Sequence, residues 1–205
     1  MVAVSDTHGK HRLVRLPVGH LFIHAGDIMS RNACILQNNG RNHKKGRAAL
    51  RDFNKWLGEL PHEKKVVIGG NHDATLEEIG DERAWQLLGN AIYLHDSSVE
   101  IDGLRIYGSP WSCGKSANRA FQAPAPKALP LQSGDVDVLV THDYCGAYAA
   151  ALQPKLYVSG HAHCRHGVLR PDQPFGGVAV NASICDEVYR ALHLPVVYDL
   201  DVARV

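Results

Sequence analysis

No run in the sequence approaches the roughly 20 consecutive apolar residues that a membrane-spanning helix requires, so no membrane segment is expected. Neither sign of charge is in excess. The 22 Lys and Arg stand against 21 Asp and Glu, so charge gives no support to a nucleic-acid partner or an anionic membrane surface. Cysteine is scarce and ungrouped: Cys34, Cys113, Cys145, Cys164 and Cys185 are odd in number, scattered, and form no Cys-x-x-Cys pair. That pattern argues against a disulfide framework or a zinc knuckle and for a reducing compartment. The chain opens Met1-Val2-Ala3-Val4 and turns polar at once, which reads as lacking a signal peptide, so a cytoplasmic location is expected. No internal repeat is found. The one biased tract, Ala123-Pro124-Ala125-Pro126-Lys127-Ala128-Leu129-Pro130, reads as a semi-extended loop.

What is present suits one compact α/β domain over residues 1–205, with 45% apolar residues to build its core. Short apolar β-rich runs end in turn residues at Val2–Val4, His20–His24, Lys65–Ile68, Ile92–Leu94, Arg105–Tyr107, Val136–Val140, Leu156–Val158, Gly177–Val180 and Val196–Leu200. Several are continuous rather than alternating, as strands buried on both faces are. A helix is predicted from Arg47 to Leu60, where Ala49, Leu50, Phe53, Trp56, Leu57 and Leu60 share one face and Pro61 stops it. A shorter helix is predicted from Glu82 to Leu88. Strands alternating with helices imply a layered fold whose strand ends carry the site.

Histidine is abundant, at 13 residues, and its neighbours give the count its meaning. Five fragments follow predicted strands and end in metal-ligand types. They are Val4-Ser5-Asp6-Thr7-His8-Gly9, Ile23-His24-Ala25-Gly26-Asp27, Ile68-Gly69-Gly70-Asn71-His72-Asp73, Val140-Thr141-His142-Asp143 and Val158-Ser159-Gly160-His161-Ala162-His163. Asp6 and His8, two apart, project to one side of an extended backbone, and Gly26 allows a tight turn before Asp27. Each fragment alone is weak, because such residues commonly cap turns. Five in order at the same end of predicted strands point to a functional centre. Imidazole and carboxylate donors suit Mn, Fe, Zn, Ni or Co, and one carboxylate can bridge two ions roughly 3.5–4 Å apart.

In this order (Asp-x-His, Gly-Asp, Gly-Asn-His-Asp, an isolated His, Gly-His-x-His) the sequence resembles the calcineurin-like metallophosphoesterase superfamily. The fragments Phe53–Pro61, Ile106-Tyr107-Gly108-Ser109-Pro110-Trp111 and Val180-Asn181-Ala182-Ser183-Ile184-Cys185 resemble its metallophosphoesterase-domain-containing and class III cyclic nucleotide phosphodiesterase branch. The resemblance implies a four-layer αββα sandwich and two divalent transition-metal ions, manganese first among them. It implies that Asp6, His8, Asp27 and His163 hold one ion and Asp27, Asn71, His142 and His161 the other. His72 would assist the leaving group while a metal-bound hydroxide attacks a small or cyclic nucleotide-like phosphodiester in line. A phosphomonoesterase, or a metal-binding scaffold with little turnover, is the alternative.

The sequence departs from that pattern at three places. Ser30 stands three residues after Asp27, where superfamily phosphatases often carry an acid. Asp143-Tyr144-Cys145 replace the branch's Gly-Pro-Pro after His142, and the segment from His142 to His161 is short. Arg165 is a candidate phosphate contact, with a solvated arginine as the other reading. Asn181 reads as a pocket or a turn residue, His24 as a core histidine or one that orients a ligand. Trp56, Trp85 and Trp111 read as core, with a nucleobase platform as the other reading, Trp111 after Gly108-Ser109-Pro110 being the first candidate for it. The basic stretch 41–47 reads as a solvated loop, with steering of an anionic substrate as the alternative.

Overall fold

A computed structural model describes residues 1–30, 43–113, 120–170 and 175–200. Two sheets carry the architecture. The first runs β13(Val196–Val197), β1(Val2–Val4), β2(Leu21–Ala25), β3(Lys64–Ile68), β4(Ile92–Tyr93), all parallel except β13. The second runs β11(Gly167–Val168), β12(Val178–Asn181), β10(Leu156–Ser159), β9(Val138–Thr141), β6(Leu104–Ser109), β5(Ser97–Ile101), its four central strands parallel and both edges antiparallel. A short parallel pair, β7(Ser112–Cys113) and β8(Gln122–Ala123), stands apart. Helices α1(His43–Glu59), α2(Ala74–Ile79), α3(Asp81–Leu87) and α4(Gly146–Leu152) complete the regular structure of the described residues, with 3-10 turns at His11–Leu13 and His163–Arg165.

Side-chain alternation along the strands produces four layers. In β2, Leu21, Ile23 and Ala25 face the second sheet, where they pack with Ile106, Val138 and Val158. Phe22 points the other way, into Leu50, Phe53, Trp56 and Leu57 of α1. The second sheet repeats the device: Leu139 and Tyr157 turn outward onto Ala149 and Leu152 of α4. Strands buried on both faces have no polar side to give, which is why their sequences run continuously apolar. The order helix, sheet, sheet, helix is the αββα sandwich that the resemblance implied.

The nine expected strands lie where they were predicted, with small shifts of end, whereas β5, β7, β8 and β11 were not predicted. Val196–Leu200 shortens to Val196–Val197, and Val136 falls outside β9. The long helix begins at His43 rather than Arg47, because Lys44, Lys45 and Arg47 lie exposed on its first turns and carry no apolar signal. Residues 41 and 42 of that basic stretch lie outside the described residues; the rest is helix, not loop, with Lys44, Lys45 and Arg47 exposed and Gly46 buried. Trp56 is core as expected, whereas Trp85 is 53% exposed and keeps only its indole N–H engaged, on the Tyr93 carbonyl at 3.0 Å. No helix among the described residues is long and apolar enough to cross a membrane.

Phe53 is fully buried and meets the rings of His24, His11 and Trp56 edge-on or tilted at 5.0–5.5 Å. Phe53→Ala should cost about 3–5 kcal/mol, as large-to-small changes in closed cores do. Urea unfolding checks this, and a loss under about 1 kcal/mol would show that the α1 layer is not tightly packed there.

Candidate active site

The five fragments converge where the parallel strands end. Asp6 and His8 follow β1, Asp27 follows β2, Asn71 and His72 follow β3, His142 follows β9, and His161 and His163 follow β10. Backbone bonds stitch these turns together: Asp6 N–H to Gly26 O at 2.9 Å, His8 N–H to Asp27 O at 3.0 Å, Gly160 N–H to His142 O at 2.9 Å. Ser5 N–H to Ala182 O at 2.8 Å and Ile184 N–H to Ser5 O at 2.9 Å tie the first sheet to the second at this end.

The local backbone is forced. Asp6 (φ 53°), His8 (φ 45°), Asp27 (φ 55°) and His161 (φ 64°) all lie in the left-handed region, a conformation that costs on the order of 1–3 kcal/mol per non-glycine residue and gathers at functional sites. Two glycines make the approach possible. Gly26 has φ 93°, and a Cβ there would collide with the Gly69 carbonyl and stand 2.7 Å from His142 Nδ1. A Cβ on Gly160 would collide with Ser5 Oγ and Asp6 Oδ2.

Two groups of donor atoms result. In one, His163 Nε2 stands 3.2 Å from both Asp6 Oδ1 and His8 Nε2. In the other, Asn71 Oδ1 stands 3.0 Å from both His142 Nε2 and His161 Nδ1. Asp27 lies between them, with Oδ1 3.3 Å from His142 Nε2 and Oδ2 3.8 Å from His8 Nε2. His72 donates its backbone N–H to Asp27 Oδ1 at 2.8 Å, and its Nε2 stands 3.8 Å from Asp27 Oδ2. Donor atoms of Asp6, His8 and His163, of Asp6, Asp27 and His142, and of His8, Asp27 and His72 lie within 4.8 Å of one another in each set.

The imidazole tautomers show what these groups fit. His8 Nδ1 lies 3.2 Å from Met29 O, His142 Nδ1 2.9 Å from Ala25 O, and His163 Nδ1 2.8 Å from Asp186 O. A carbonyl only accepts, so each Nδ1 carries the hydrogen and each neutral ring aims the Nε2 lone pair inward. Lone pairs 3.2 Å apart, as in His8 and His163, repel unless a proton or a cation sits between them. Backbone carbonyls that fix the outer nitrogen are the usual support of a metal-binding histidine, so the donor set fits a divalent metal centre.

The electrostatics agree. Burial alone would raise the carboxyl pKa of Asp27, but His142, then His72 and His8, outweigh it and hold it well below the usual range. Asp6 is held low in the same way, by the His163 hydrogen bond and the charges of His142 and His8 against burial. His142 is lowered by burial and raised more by Asp27 and Asp6, to about 10. Burial pushes His72 down to about 4, despite Asp27 nearby.

Around these groups stand supporting residues, among which only His24 and Asn181 were singled out in the sequence for such a place. Asp73, adjacent to His72, accepts backbone N–H groups of Met29 at 2.9 Å, Gly70 at 2.9 Å and Ile28 at 3.2 Å, locking the β2 turn to the β3 turn. Burial and the Asp27 charge raise it to about 7. Ser183 Oγ donates to Asp6 Oδ2 at 2.8 Å. Asn181 donates to the carbonyls of Gly160 and Ala162 at 2.7 and 3.1 Å, so it tethers the His161–His163 loop. His24 Nε2 pairs with Thr7 Oγ1 at 3.0 Å, between Asp6 and His8, and so steadies the ligand turn from the core.

A cleft of about 350 Å³ opens on this centre, lined by Asp27, Asn71, His72, His161, His163 and Tyr189 among others. Cys164 lines it too, whereas Arg165, exposed at the end of the 3-10 turn, lies beside the cleft lining rather than in it. Trp111 is also elsewhere: its N–H donates to Asp96 at 2.8 Å and Lys127 sits 3.1 Å over its ring. The segment after His142 turns directly into α4, with Asp143 accepting the Cys113 N–H at 3.2 Å.

Residues 1–165 match a family model described as calcineurin-like phosphoesterase. Metallophosphoesterase domain-containing protein 1 of Homo sapiens is 31% identical, covering 99% of this chain and 71% of its own length, and the Mus musculus protein matches equally. That alignment runs over 249 positions, so the relative carries insertions that these 205 residues lack. A UPF0046 protein of Caenorhabditis elegans is 29% identical over 97% of this chain and 80% of its own. A solved structure superposes with a TM-score of 0.58 at 16% identity over 88% of each chain, a likeness of fold.

Gly160→Ala should abolish metal retention while the protein stays folded, because its methyl would press on Asp6 Oδ2. Elemental analysis beside a thermal melt checks this. A variant that still held its metals would show that the turn has room to spare.

Proposed function

This chain belongs to the calcineurin-like phosphoesterase family, and from that premise we propose that it is a dinuclear-metal-dependent phosphodiesterase of small or cyclic nucleotide-like diesters. One observation carries the reading: the two carboxylate oxygens of Asp27 face two separate groups of donors, Oδ1 toward His142 and Oδ2 toward His8. Asp6, His8, Asp27 and His163 would hold one divalent ion, and Asp27, Asn71, His142 and His161 the other, manganese being favoured over Fe, Zn, Ni or Co. When bound, such a pair polarises a phosphoryl oxygen and makes water a nucleophile at neutral pH.

The chain's own residues do the rest. Asp27 fixes the spacing of the two sides, and the three carbonyl-pinned histidines cannot rotate away. Asn71 offers a neutral oxygen, which limits negative charge where an anionic substrate must come. His72 stands at the cleft wall with its side chain beside Asp27, placed to give a proton to the departing oxygen. Glu187 puts a carboxylate in the same wall, which disfavours a doubly charged monoester more than a singly charged diester. A cytoplasmic setting belongs to the same reading, supported by the free thiols of Cys113, Cys145, Cys164 and Cys185; Cys34 lies outside the described residues.

Chelation should remove activity, and metal analysis should find two ions per chain. Asp27→Ala should lose both, whereas His163→Ala should weaken one. An Asp27→Ala protein that kept two ions would refute the bridge. Compared across divalent metals, a matched diester should be cleaved faster than its monoester; the reverse preference would make the protein a phosphomonoesterase.

His72→Ala should keep both ions and lose rate by about 10²–10⁴ for an alkoxide leaving group, the range of general acid catalysis. The loss should be much smaller for nitrophenolate, which leaves without a proton. Equal losses would assign His72 to holding phosphate, and a lost ion would make it a ligand.

A further inference from the structure

The hairpin-like segment from Cys185 to Ala191 brings one ring onto the centre. The Tyr189 ring meets His8 at 4.7 Å, His163 at 5.3 Å and His72 at 5.9 Å between centroids, all near-perpendicular. These histidines come from three different strand ends, so the phenol stands where those turns converge. It also lines the reaction cleft.

The segment is built to hold that ring. Tyr189 has φ 63°, a left-handed backbone that a bulky residue adopts only when its surroundings compel it. Asp186 supplies the compulsion. Its carboxylate accepts the N–H groups of Arg190 at 2.7 Å and Val188 at 3.1 Å and the Arg190 Nε–H at 2.7 Å. Its backbone carbonyl accepts the Tyr189 N–H at 2.8 Å and His163 Nδ1–H at 2.8 Å. The turn that presents the tyrosine is therefore the turn that aims a metal-site histidine, which fixes the ring relative to the reacting centre.

We infer that Tyr189 is a specificity-determining residue, an aromatic wall that takes a flat organic substituent of the substrate ester; this rests on reading the cleft as a phosphoester site. A planar ring or heterocycle packs on such a wall at stacking or edge distance, and a methyl group cannot fill it. The wall therefore favours aryl or nucleobase-bearing phosphates over small alkyl ones, whichever of the mono- and diester classes the centre prefers.

Tyr189→Gly is the decisive variant, because glycine accepts φ 63° without penalty and removes the ring while sparing the turn; Tyr189→Phe keeps the ring. The metal-loaded proteins are compared on two pairs of probes. Binding is read by calorimetry with phenylphosphonate and methylphosphonate, and turnover with phenyl and methyl p-nitrophenyl phosphate. Tyr189→Gly should cut the phenyl-over-methyl preference roughly 3- to 10-fold, the scale of one aromatic contact, with metal content retained. Tyr189→Phe should restore the preference. An unchanged preference, an equal loss on both probes, or loss of metal would overturn the inference. A parent protein that binds phenylphosphonate preferentially but turns over neither ester would refute the hydrolase reading and leave this one standing. Binding of neither phosphonate together with turnover of neither ester would refute both.

Discussion

Two carboxylates, Asp6 and Asp27, are buried almost completely, and charge can stay in such a place only if opposite charge comes to it. The arrangement of strand ends answers that requirement. Parallel strands deliver their following turns to one edge, and two sheets packed face to face deliver two sets of turns to the same line. The first sheet contributes both carboxylates, the second His142, His161 and His163, and the Ser5–Ser183 bridge joins the two where they meet. A site assembled across the sheets needs both, so metal binding and the integrity of the sandwich are coupled.

The same edge explains the strain. Four of the converging residues hold left-handed backbone angles, and two glycines accept contacts no side chain would allow. Such strain persists because the surroundings over-determine it: Asp73 binds three amides, Asn181 two carbonyls, and three main-chain oxygens set the histidine tautomers. Each of those contacts fixes the direction of a donor group, so little ordering would remain to be done on binding an ion.

Much of this was legible in the sequence because the candidate ligands sit next to the strands that aim them. Asp6, His8, Asp27, Asn71, His142, His161 and His163 each follow an apolar run within a few residues, and the structure brings all of them together. The supporting contacts were not legible, since they join residues far apart: Asp73 reaches Met29 across 44 positions and His163 reaches Asp186 across 23. Tyr189 sits in an exposed polar stretch and gave no signal at all. Among the elements, β5 was missed because an edge strand, Ser97-Ser98-Val99-Glu100-Ile101, has little apolar content. Helix α4 was missed because Gly146-Ala147-Tyr148-Ala149-Ala150-Ala151-Leu152 buries small residues that show no amphipathic period.

The central claim is that Asp27 lies between two ions rather than beside one. Anomalous diffraction from manganese-loaded crystals tests it most directly. The account expects two peaks roughly 3.5–4 Å apart, one ringed by Asp6, His8 and His163, the other by Asn71, His142 and His161, with an Asp27 oxygen on each. A single peak, or two that do not share Asp27, would contradict it.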